Sequence, residues 1–447
     1  MLDRIKNHFT YTRFLGLGFL AIILIGALLL CLPVASADGS STPFINALFT
    51  STSATCVTGL VVYDTYTHWS LFGQLVILVL IQVGGIGFMT VVTLFSMFMK
   101  RQIGLKERRI LMQSAGKMEL GGIVKLIRQM AVLTLAFESV GACVLAVTFC
   151  RDFGIGRGLY YSVFHSVSAF CNAGFDLMGI YEPYSSLTAY AGNESVLITV
   201  ALLIIMGGIG FWVLNDLIAA RFSFRKLHLH SKIALTTTVI LVFLGTVLIL
   251  IFEQNNTLKN LPAGQQLLLS FFQSVSPRTA GFNAVELSEL SDSSALLTII
   301  YMFIGGCPGS TAGGVKTTTL FVLVAAVVAA MRHSSEIHVF KRRLEEGVAR
   351  QACAVVCVYL AAFLLGTMAI CALEPIGLKE VLFEVASAGG TVGLSMGITS
   401  GLCTGSKLIL ALLMYGGRIG VLSFVLMLAE QSPRVQAARP VEKILIG

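Results

Sequence analysis

Long apolar segments alternate with short polar stretches along nearly the whole chain. Eight of these segments are about 20 residues or longer, the length needed to cross the hydrocarbon core of a bilayer. They cover residues 14–32, 71–99, 129–149, 196–215, 233–252, 296–331, 352–371 and 408–428. The pattern predicts an all-α membrane protein with eight transmembrane helices.

A shorter apolar segment lies between the two members of each successive pair of spans. These segments cover residues 44–54, 159–170, 267–275 and 378–387. At about nine to twelve residues each is too short to span, and its length favours a re-entrant helix. Non-helical backbone at membrane depth occurs only where protein or a water-filled cavity surrounds it. The stretch after each short helix should therefore line a wet path.

Two glycine-containing signatures recur four times in the same order. The first reads SATCVTGL at 53–60, SAFCNAGF at 168–175, SPRTAGF at 276–282 and SAGGTVGL at 387–394. Its aligned glycines are Gly59, Gly174, Gly281 and Gly393. The second, inside the second span of each pair, reads GGIG at 84–87 and 207–210, GGCPG at 305–309 and GGRIG at 416–420. This comparison puts Arg418 in the place of Ile86 and Ile209.

The recurrence predicts four tandem repeats of helix, pore helix, filter loop and helix around a pseudo-fourfold pore. Their expected boundaries are 1–110, 111–225, 226–345 with a broken second helix, and 346–447 with a C-terminal tail.

Composition agrees with a lipid environment. The 447-residue chain is 56% hydrophobic and 12% charged, against about 25% charged residues in soluble domains. Its net charge of +8 comes from loops between apolar segments, which does not suggest nucleic acid. The N-terminus resembles a secretory signal, but 14–32 is longer than usual signal cores and the first repeat needs this helix. Cys353 and Cys357 lie one helical turn apart without a second ligand pair, so small buried side chains are favoured over a metal site.

Basic residues give the expected orientation. About 23 of the 31 Lys and Arg residues fall in the termini and in the three links between repeats. Cytoplasmic loops of membrane proteins carry such an excess. We therefore expect a plasma-membrane protein with both termini in the cytoplasm. The short helices are expected to enter the membrane from outside.

The four loops suit a cation filter. Rings of backbone carbonyl oxygens can replace the hydration shell of an ion, and glycine allows the backbone angles that turn a carbonyl toward an axis. The C-terminal end of a helix adds partial negative charge. Four tight turns that only connect helices are the alternative, but turns need not repeat Ser-Ala before and Gly-Leu or Gly-Phe at the end. The candidate ion-binding residues are Thr55, Cys56, Val57, Thr58, Gly59, Cys171, Asn172, Ala173, Gly174, Arg278, Thr279, Ala280, Gly281, Gly390, Thr391, Val392 and Gly393.

These loops resemble the filters of the Trk/Ktr/HKT superfamily of potassium transporters, whose ion-translocating subunit the chain is similar to over nearly its whole length. The Ktr type (KtrB) fits better than the Trk type, which carries two extra N-terminal helices. The resemblance implies that potassium binds at the filter residues. A serine at the place of Gly59 goes with sodium preference in the plant branch, so Gly59 implies potassium preference.

The second span of the third repeat departs from its siblings. Glycines and Pro308 cannot keep a continuous helix here, so two half-helices with a mid-membrane loop are expected. The resemblance implies a gating loop that an arginine contacts. The candidate gate residues are Gly305, Gly306, Cys307, Pro308, Gly309, Ser310, Thr311, Ala312, Gly313, Gly314, Lys316 and Arg418. A kinase-like phosphate loop is disfavoured because Val315 intervenes before the lysine.

Two basic side chains, Lys316 and Arg418, are expected at membrane depth, where charges are usually functional. The alternative for Arg418 is a structural ion pair with Glu138 or Glu384. Glu384 could equally sit behind the filter and hold its amides.

Three functional classes fit this pattern to different degrees. A channel-like potassium uptake subunit leads, because the four repeats are expected to run parallel. A secondary symporter coupling potassium to sodium or protons is the alternative, which inverted repeats would favour. An enzyme is disfavoured, since no catalytic cluster is evident.

No nucleotide-binding fingerprint is present. The resemblance implies a homodimer above a cytosolic ring of nucleotide-binding regulatory subunits of the KtrA/RCK type, with no cofactor in this chain, potassium as substrate and sodium as an activator whose role stays open.

Overall fold

The computed structural model describes residues 11–87, 90, 123–334 and 336–420, and these form a helical protein. Fourteen α-helices lie in the described ranges. They are α1 (Tyr11–Leu30), α2 (Phe44–Cys56), α3 (Leu71–Ile86), α4 (Ile123–Phe153), α5 (Ile155–Cys171), α6 (Glu194–Ile209), α7 (Phe211–Ala219), α8 (Leu229–Glu253), α9 (Ala263–Val275), α10 (Asp292–Phe303), α11 (Thr317–Met331), α12 (Val348–Leu373), α13 (Leu378–Gly390) and α14 (Thr404–Ile419). A two-stranded antiparallel hairpin, β1 (His338–Val339) and β2 (Arg342–Arg343), joins α11 to α12.

Three helices are long and apolar enough to cross a bilayer on their own. They cover Ile127–Phe153 within α4, Leu229–Glu253 and Val348–Leu373. The pair α6 and α7 would make a fourth span, although the two helices meet at an angle of 92°. A single span needs about 17 to 25 residues, and the other apolar helices in the described ranges are shorter or barely reach that length. The expected number of eight spans is therefore still a proposal.

Helices are present at all four predicted short segments. These helices, α2, α5, α9 and α13, each begin at or before the expected residue and end at or just before the filter loop. Pro43 and Pro262 directly precede α2 and α9, where a missing N–H costs nothing because the first turn has no acceptor for it. Nearly all residues in the last two turns of each short helix are buried.

The expectation of continuous helices through the second glycine signature is wrong. Helix α3 ends at Ile86, α6 at Ile209 and α14 at Ile419. The next residue is in each case a glycine with a positive φ, 92° at Gly87, 96° at Gly210 and 93° at Gly420. A right-handed helix cannot continue through that conformation, which glycine adopts readily. The predicted extensions to residues 99 and 428 lie almost wholly outside the described residues.

A third repeated contact joins the first helix of a repeat to its short helix. Ser51 donates to the carbonyl of Ile23 at 2.7 Å, Ser166 to Glu138 at 2.6 Å and Ser274 to Val242 at 2.8 Å. Three residues beyond each acceptor stands a glycine, Gly26, Gly141 or Gly245, whose missing Cβ leaves room for the serine. Each such bond stabilises the pair by about 1 kcal/mol. Three short helices are thereby fixed against their neighbouring helix.

Candidate functional site

The four predicted filter glycines form a closed ring in chain order. A Cβ on Gly59 would lie less than 3 Å from the carbonyl oxygen of Ala173, and one on Gly174 equally close to that of Ala280. The same relation links Gly281 to the oxygen of Val392, and Gly393 to that of Thr58. Each glycine therefore packs against the residue that precedes the glycine of the next repeat. No other residue type fits, so the glycines are required by close approach as well as by backbone angle.

The backbone of the four loops shares one pattern of torsion angles. Two residues before each glycine, φ is positive: 58° at Val57, 59° at Asn172, 81° at Thr279 and 52° at Thr391. The glycines themselves have φ between 69° and 100°. Positive φ at a side-chain-bearing residue costs energy and persists only where surrounding structure enforces it. Four such residues at one offset give the four loops the same backbone geometry.

Serine hydroxyls hold the loops from behind. Ser53 accepts from the amide of Gly59 at 3.0 Å and Ser387 from that of Gly393 at 2.9 Å. Ser168 donates to the carbonyl of Phe175 at 2.6 Å, and Ser276 donates to that of Phe282. Three of these serines lie on short helices, and Ser276 directly follows the third short helix. The carbonyls between the positive-φ residues accept no backbone hydrogen bond within the described part of the chain.

The remaining filter candidates occupy two kinds of position. Thr55 and Cys56 end α2, Cys171 ends α5 and Gly390 ends α13. The Cys171 thiol points away from the ring, toward Gln82 Oε1 at 3.6 Å and Glu138 Oε1 at 3.9 Å. Arg278 is 6% exposed, and its Nε has no hydrogen-bond partner among the described residues. The structure thus brings the loop backbones together but not the side chains of Cys171 and Arg278.

A cavity of about 250 Å³ lies against the ring, on the side where the chain leaves each filter loop toward the next helix. All four filter glycines line it. So do four acidic residues, Asp64, Asp176, Glu182 and Glu286. Burial raises the pKa of Asp176 to about 7, and the nearby Asp64 charge acts in the same direction. A concave wall lined by several carboxylates concentrates cations.

The predicted break in the third repeat is present. Helix α10 ends at Phe303 and α11 begins at Thr317, with an irregular segment at 304–316 that we call the gate loop. The backbone N–H of Cys307 donates to the carbonyl of Gly208 at 2.9 Å, and the backbone N–H of Thr311 donates to the carbonyl of Gly207 at 3.3 Å. A Cβ on Gly313 would collide with the Thr391 hydroxyl. The gate loop therefore runs between the end of α6 and the fourth filter loop.

Lys316 closes the gate loop on itself. Its Nζ donates to the carbonyl of Ala312 at 2.7 Å and to that of Gly313 at 3.2 Å. Among the described contacts this ammonium group bonds two carbonyls and no carboxylate, so its positive charge is not balanced by an ion pair. The lysine fixes the loop immediately before α11 begins.

Arg418 reaches across from α14 to two other segments. Its guanidinium donates to the carbonyl of Thr311 in the gate loop, to that of Gly84 and, at 3.1 Å, to that of Gly85. The ion pair with Glu138 or Glu384 is absent from the described part of the chain. Glu138 instead accepts from Gln82 at 3.1 Å, while Glu384 accepts from the hydroxyls of Ser395 and Thr399.

The sequence comparison that placed Arg418 opposite Ile86 and Ile209 is wrong by one residue. Counting back from the positive-φ glycines at 87, 210 and 420, Arg418 occupies the position of Gly85 and Gly208. Gly84, Gly207 and Gly417 correspondingly pack against the carbonyls of Thr55, Phe170 and Gly389 at the ends of the short helices. Arg418 therefore projects from a position at which the first two repeats carry a glycine.

Comparison with known proteins agrees with this geometry. The model of the TrkH family, described as a cation transport protein, matches residues 12–437. The chain belongs to the TrkH family. This family member shares 38% identity with the potassium/sodium uptake protein NtpJ of Enterococcus hirae, over 100% of this chain and 99% of that protein. It shares 39% identity with the Ktr system potassium uptake protein B of Bacillus subtilis, over 95% and 94% of the two chains.

A solved TrkH structure has the same fold. The potassium transporter TrkH of Vibrio parahaemolyticus superimposes with a TM-score of 0.72 at 17% identity, covering 92% of this chain and 84% of that one. The family match and the two relatives confirm the expected resemblance to this superfamily. The chain is a helical membrane protein of the TrkH fold.

Sequence reasoning about this TrkH-family chain missed the serines at 51, 166 and 274. Their signal was present, because Ser51 and Ser166 both stand eight residues before a filter glycine. In the third repeat the interval is seven, since that filter loop is one residue shorter. The acidic residues of the cavity were also missed, because they lie in loops of unlike length and sequence.

Proposed function

We propose that this protein takes up potassium across the plasma membrane through a channel-like pore. The observation that carries the proposal is the closed ring of Gly59, Gly174, Gly281 and Gly393. One backbone carbonyl from each repeat packs against the filter glycine of the preceding repeat, and the carbonyl of the first repeat packs against Gly393. Rings of backbone carbonyls replace the hydration shell of potassium in known filters. The names of the relatives from Bacillus subtilis and Enterococcus hirae support potassium as the ion.

The electrostatics of the ring suit a cation. Four short helices end at the loops, and each helix C-terminus contributes about half an elementary negative charge. The acidic cavity beside the ring would raise the local cation concentration before entry. Together these features supply attraction without a fixed charge inside the filter, so an ion can also leave.

The gate loop would be the barrier beyond the filter. It lies against the second and fourth filter regions, since Thr311 Oγ1 donates to the carbonyl of Phe170 at 3.2 Å and Gly313 abuts Thr391. Arg418 and Lys316 place two positive charges in and beside this loop. Cations on the path repel potassium, so displacement of the loop would open the pore.

The proposed topology keeps four parallel repeats at 1–110, 111–225, 226–345 and 346–447. A helix followed by a short helix that ends at the ring recurs in all four repeats, and a helix that ends at a positive-φ glycine follows in the first, second and fourth, which supports this topology. Eight spans, a pseudo-fourfold axis along the ring and cytoplasmic termini complete this arrangement.

A coupled symporter is the second candidate. The name of the Enterococcus hirae relative, potassium/sodium uptake protein, favours it, because both ions are named. Sodium would then be a second substrate or an activator. The parallel order of the repeats favours the pore, since alternating access commonly uses inverted ones.

Partners follow from the relatives. The Bacillus subtilis and Vibrio alginolyticus proteins are named as parts of a Ktr system, which supports a system of more than one component. The proposed assembly is a homodimer of this chain above a cytosolic ring of nucleotide-binding subunits, as the sequence resemblance implies. The basic segment between α11 and α12, with Arg342 and Arg343 on β2, is a docking surface for it.

Flux into liposomes tests the proposal. Purified protein in proteoliposomes with opposed potassium and sodium gradients should give a reversal potential that follows potassium alone. A reversal potential that moves with the sodium or proton gradient at fixed potassium would establish coupling instead. Equal flux of potassium and a large organic cation would contradict a carbonyl filter.

A further inference from the structure

The fourth repeat lacks the contact that fixes the short helix in the other three. Val385 stands where Ser51, Ser166 and Ser274 donate to the preceding helix. Valine cannot make that bond. The corresponding carbonyl, that of Phe363 three residues before Gly366, accepts from Thr367 Oγ1 of its own helix at 2.9 Å. Helix α12 is therefore not hydrogen-bonded to the short helix α13 at this level.

A cavity of about 300 Å³ lies at the place of the missing contact. It opens between α10, α12, α13 and α14. Its wall includes Ala362, Phe363, Gly366, Val385, Gly389 and Leu412. The polar atom of its one hydroxyl-bearing wall residue, Tyr359, donates to the carbonyl of Gly417 at 3.3 Å. A Cβ on Gly389 would meet no atom within 4 Å, so the space extends to the backbone before the fourth filter loop.

The mouth of this cavity faces the lipid side. Leu365 and Leu412 line it and are 66% and 57% exposed. Helix α12 is one of the three helices long and apolar enough to span, so the medium at this mouth is hydrocarbon. Apolar cavities of about 150 Å³ stay free of water and take apolar ligands. A space twice that size, open to a bilayer, has acyl chains as its available filling.

We propose that a phospholipid acyl chain occupies this cavity and packs behind the fourth filter loop. The acyl chain lies at the level where a serine hydroxyl bonds the preceding helix in the other three repeats. Its inner end meets Gly389 and Gly390, whose backbone leads into Thr391 and Gly393 of the ring. The proposal concerns packing in the membrane and holds whether the ring conducts potassium or another cation.

Photolabelling tests this assignment. Full-length protein is placed in nanodiscs containing phosphatidylglycerol with a diazirine in its acyl chain, irradiated, and digested for mass spectrometry. Lipid adducts are expected on residues 385–390 of α13. Ala362→Phe should lower them at least about five-fold, because the ring takes the space that the acyl chain needs. Leu360→Phe is the matched control, because Leu360 lies on the same helix, is 46% exposed and does not line the cavity.

Several outcomes would overturn the proposal. Adducts confined to the exposed faces of α12 and α14 in the unmodified protein, with none at 385–390, would mean that no chain enters. Unchanged adducts in both Ala362→Phe and Ala369→Phe would place the label elsewhere, and the second variant serves if the first does not fold. A disulfide-linked dimer of Leu412→Cys that loses the adducts would assign the cavity to a second copy of this chain.

Discussion

Arg418 donates a hydrogen bond to the backbone carbonyl of Thr311, which ties the last turn of α14 to the gate loop of the third repeat. The same guanidinium bonds the carbonyls of Gly84 and Gly85 at the end of α3. One side chain thus joins the first, third and fourth repeats. It projects from the position that Gly85 and Gly208 hold in the first two repeats.

Replacing Arg418 should speed transport. Arg418→Gln removes a buried cation and releases the gate loop, so maximal potassium uptake should rise about ten-fold, which corresponds to ~1.4 kcal/mol in the barrier. Apparent affinity should change less, because the three carbonyls that Arg418 bonds, those of Thr311, Gly84 and Gly85, are not filter carbonyls. Uptake rate and purified yield are measured on the same variant. Arg418→Lys keeps the charge but cannot bridge three carbonyls. Its uptake rate should lie between those of the unmodified protein and Arg418→Gln.

The rival ion-pair interpretation makes the opposite prediction. If Arg418 neutralised a buried carboxylate, its loss would strand that charge and cost about 3–5 kcal/mol of stability. Since Glu138 and Glu384 have other partners, yield should be preserved. A collapse of yield in Arg418→Gln would contradict this account.

Gly59→Ser should weaken discrimination against sodium. Its Cβ would collide with the carbonyl of Ala173, and φ at this residue is 95°. Moving that carbonyl changes the cage that an ion meets, and the potassium-to-sodium ratio should fall about ten-fold, or ~1.4 kcal/mol. Potassium uptake with and without excess sodium measures it. Gly39→Ser is the control, because φ is 73° there with no atom within 4 Å; equal loss in both variants would make strain alone responsible.

Shortening the gate loop should raise flux while selectivity stays. Deletion of residues 308–312 removes the bonds from Thr311 to Gly207 and Phe170 but no filter residue. We expect faster uptake that responds less to regulation, with an unchanged potassium-to-sodium ratio. Thr311→Val, which removes only the side-chain bond, should have a smaller effect. Background flux from a well-assembled deletion variant would show that the loop supports the path.

Neutralising the acidic cavity should weaken apparent affinity at low salt. Glu286→Gln removes one charge from the wall of the cavity, and the apparent KM for potassium should rise about two-fold at low ionic strength. The effect should vanish at high ionic strength, where the Debye length is only about 3 Å. Glu289→Gln, exposed nearby but outside this wall, should leave KM unchanged. An effect that persists in high salt would indicate direct contact with the ion.

Much of the filter was predictable from the sequence because its requirement is local. A loop that turns carbonyls toward an axis needs glycine at fixed offsets, so Gly59, Gly174, Gly281 and Gly393 recur with their flanking residues. The break in the third repeat was also predictable, since Pro308 and its neighbouring glycines exclude a helix. The apolar runs fixed the membrane environment, because no soluble fold buries that much hydrocarbon.

Only the tertiary structure decided which carbonyl each glycine meets, where Arg418 reaches and where the fourth repeat differs. The register of Arg418 depends on glycines at 87, 210 and 420 with positive φ, which end helices that hydropathy alone extends. The contacts of Ser51 with Ile23 and of Arg418 with Thr311 join residues 28 and 107 positions apart. The acceptors of these contacts cannot be identified from a sequence, because they are backbone carbonyls, which every residue carries.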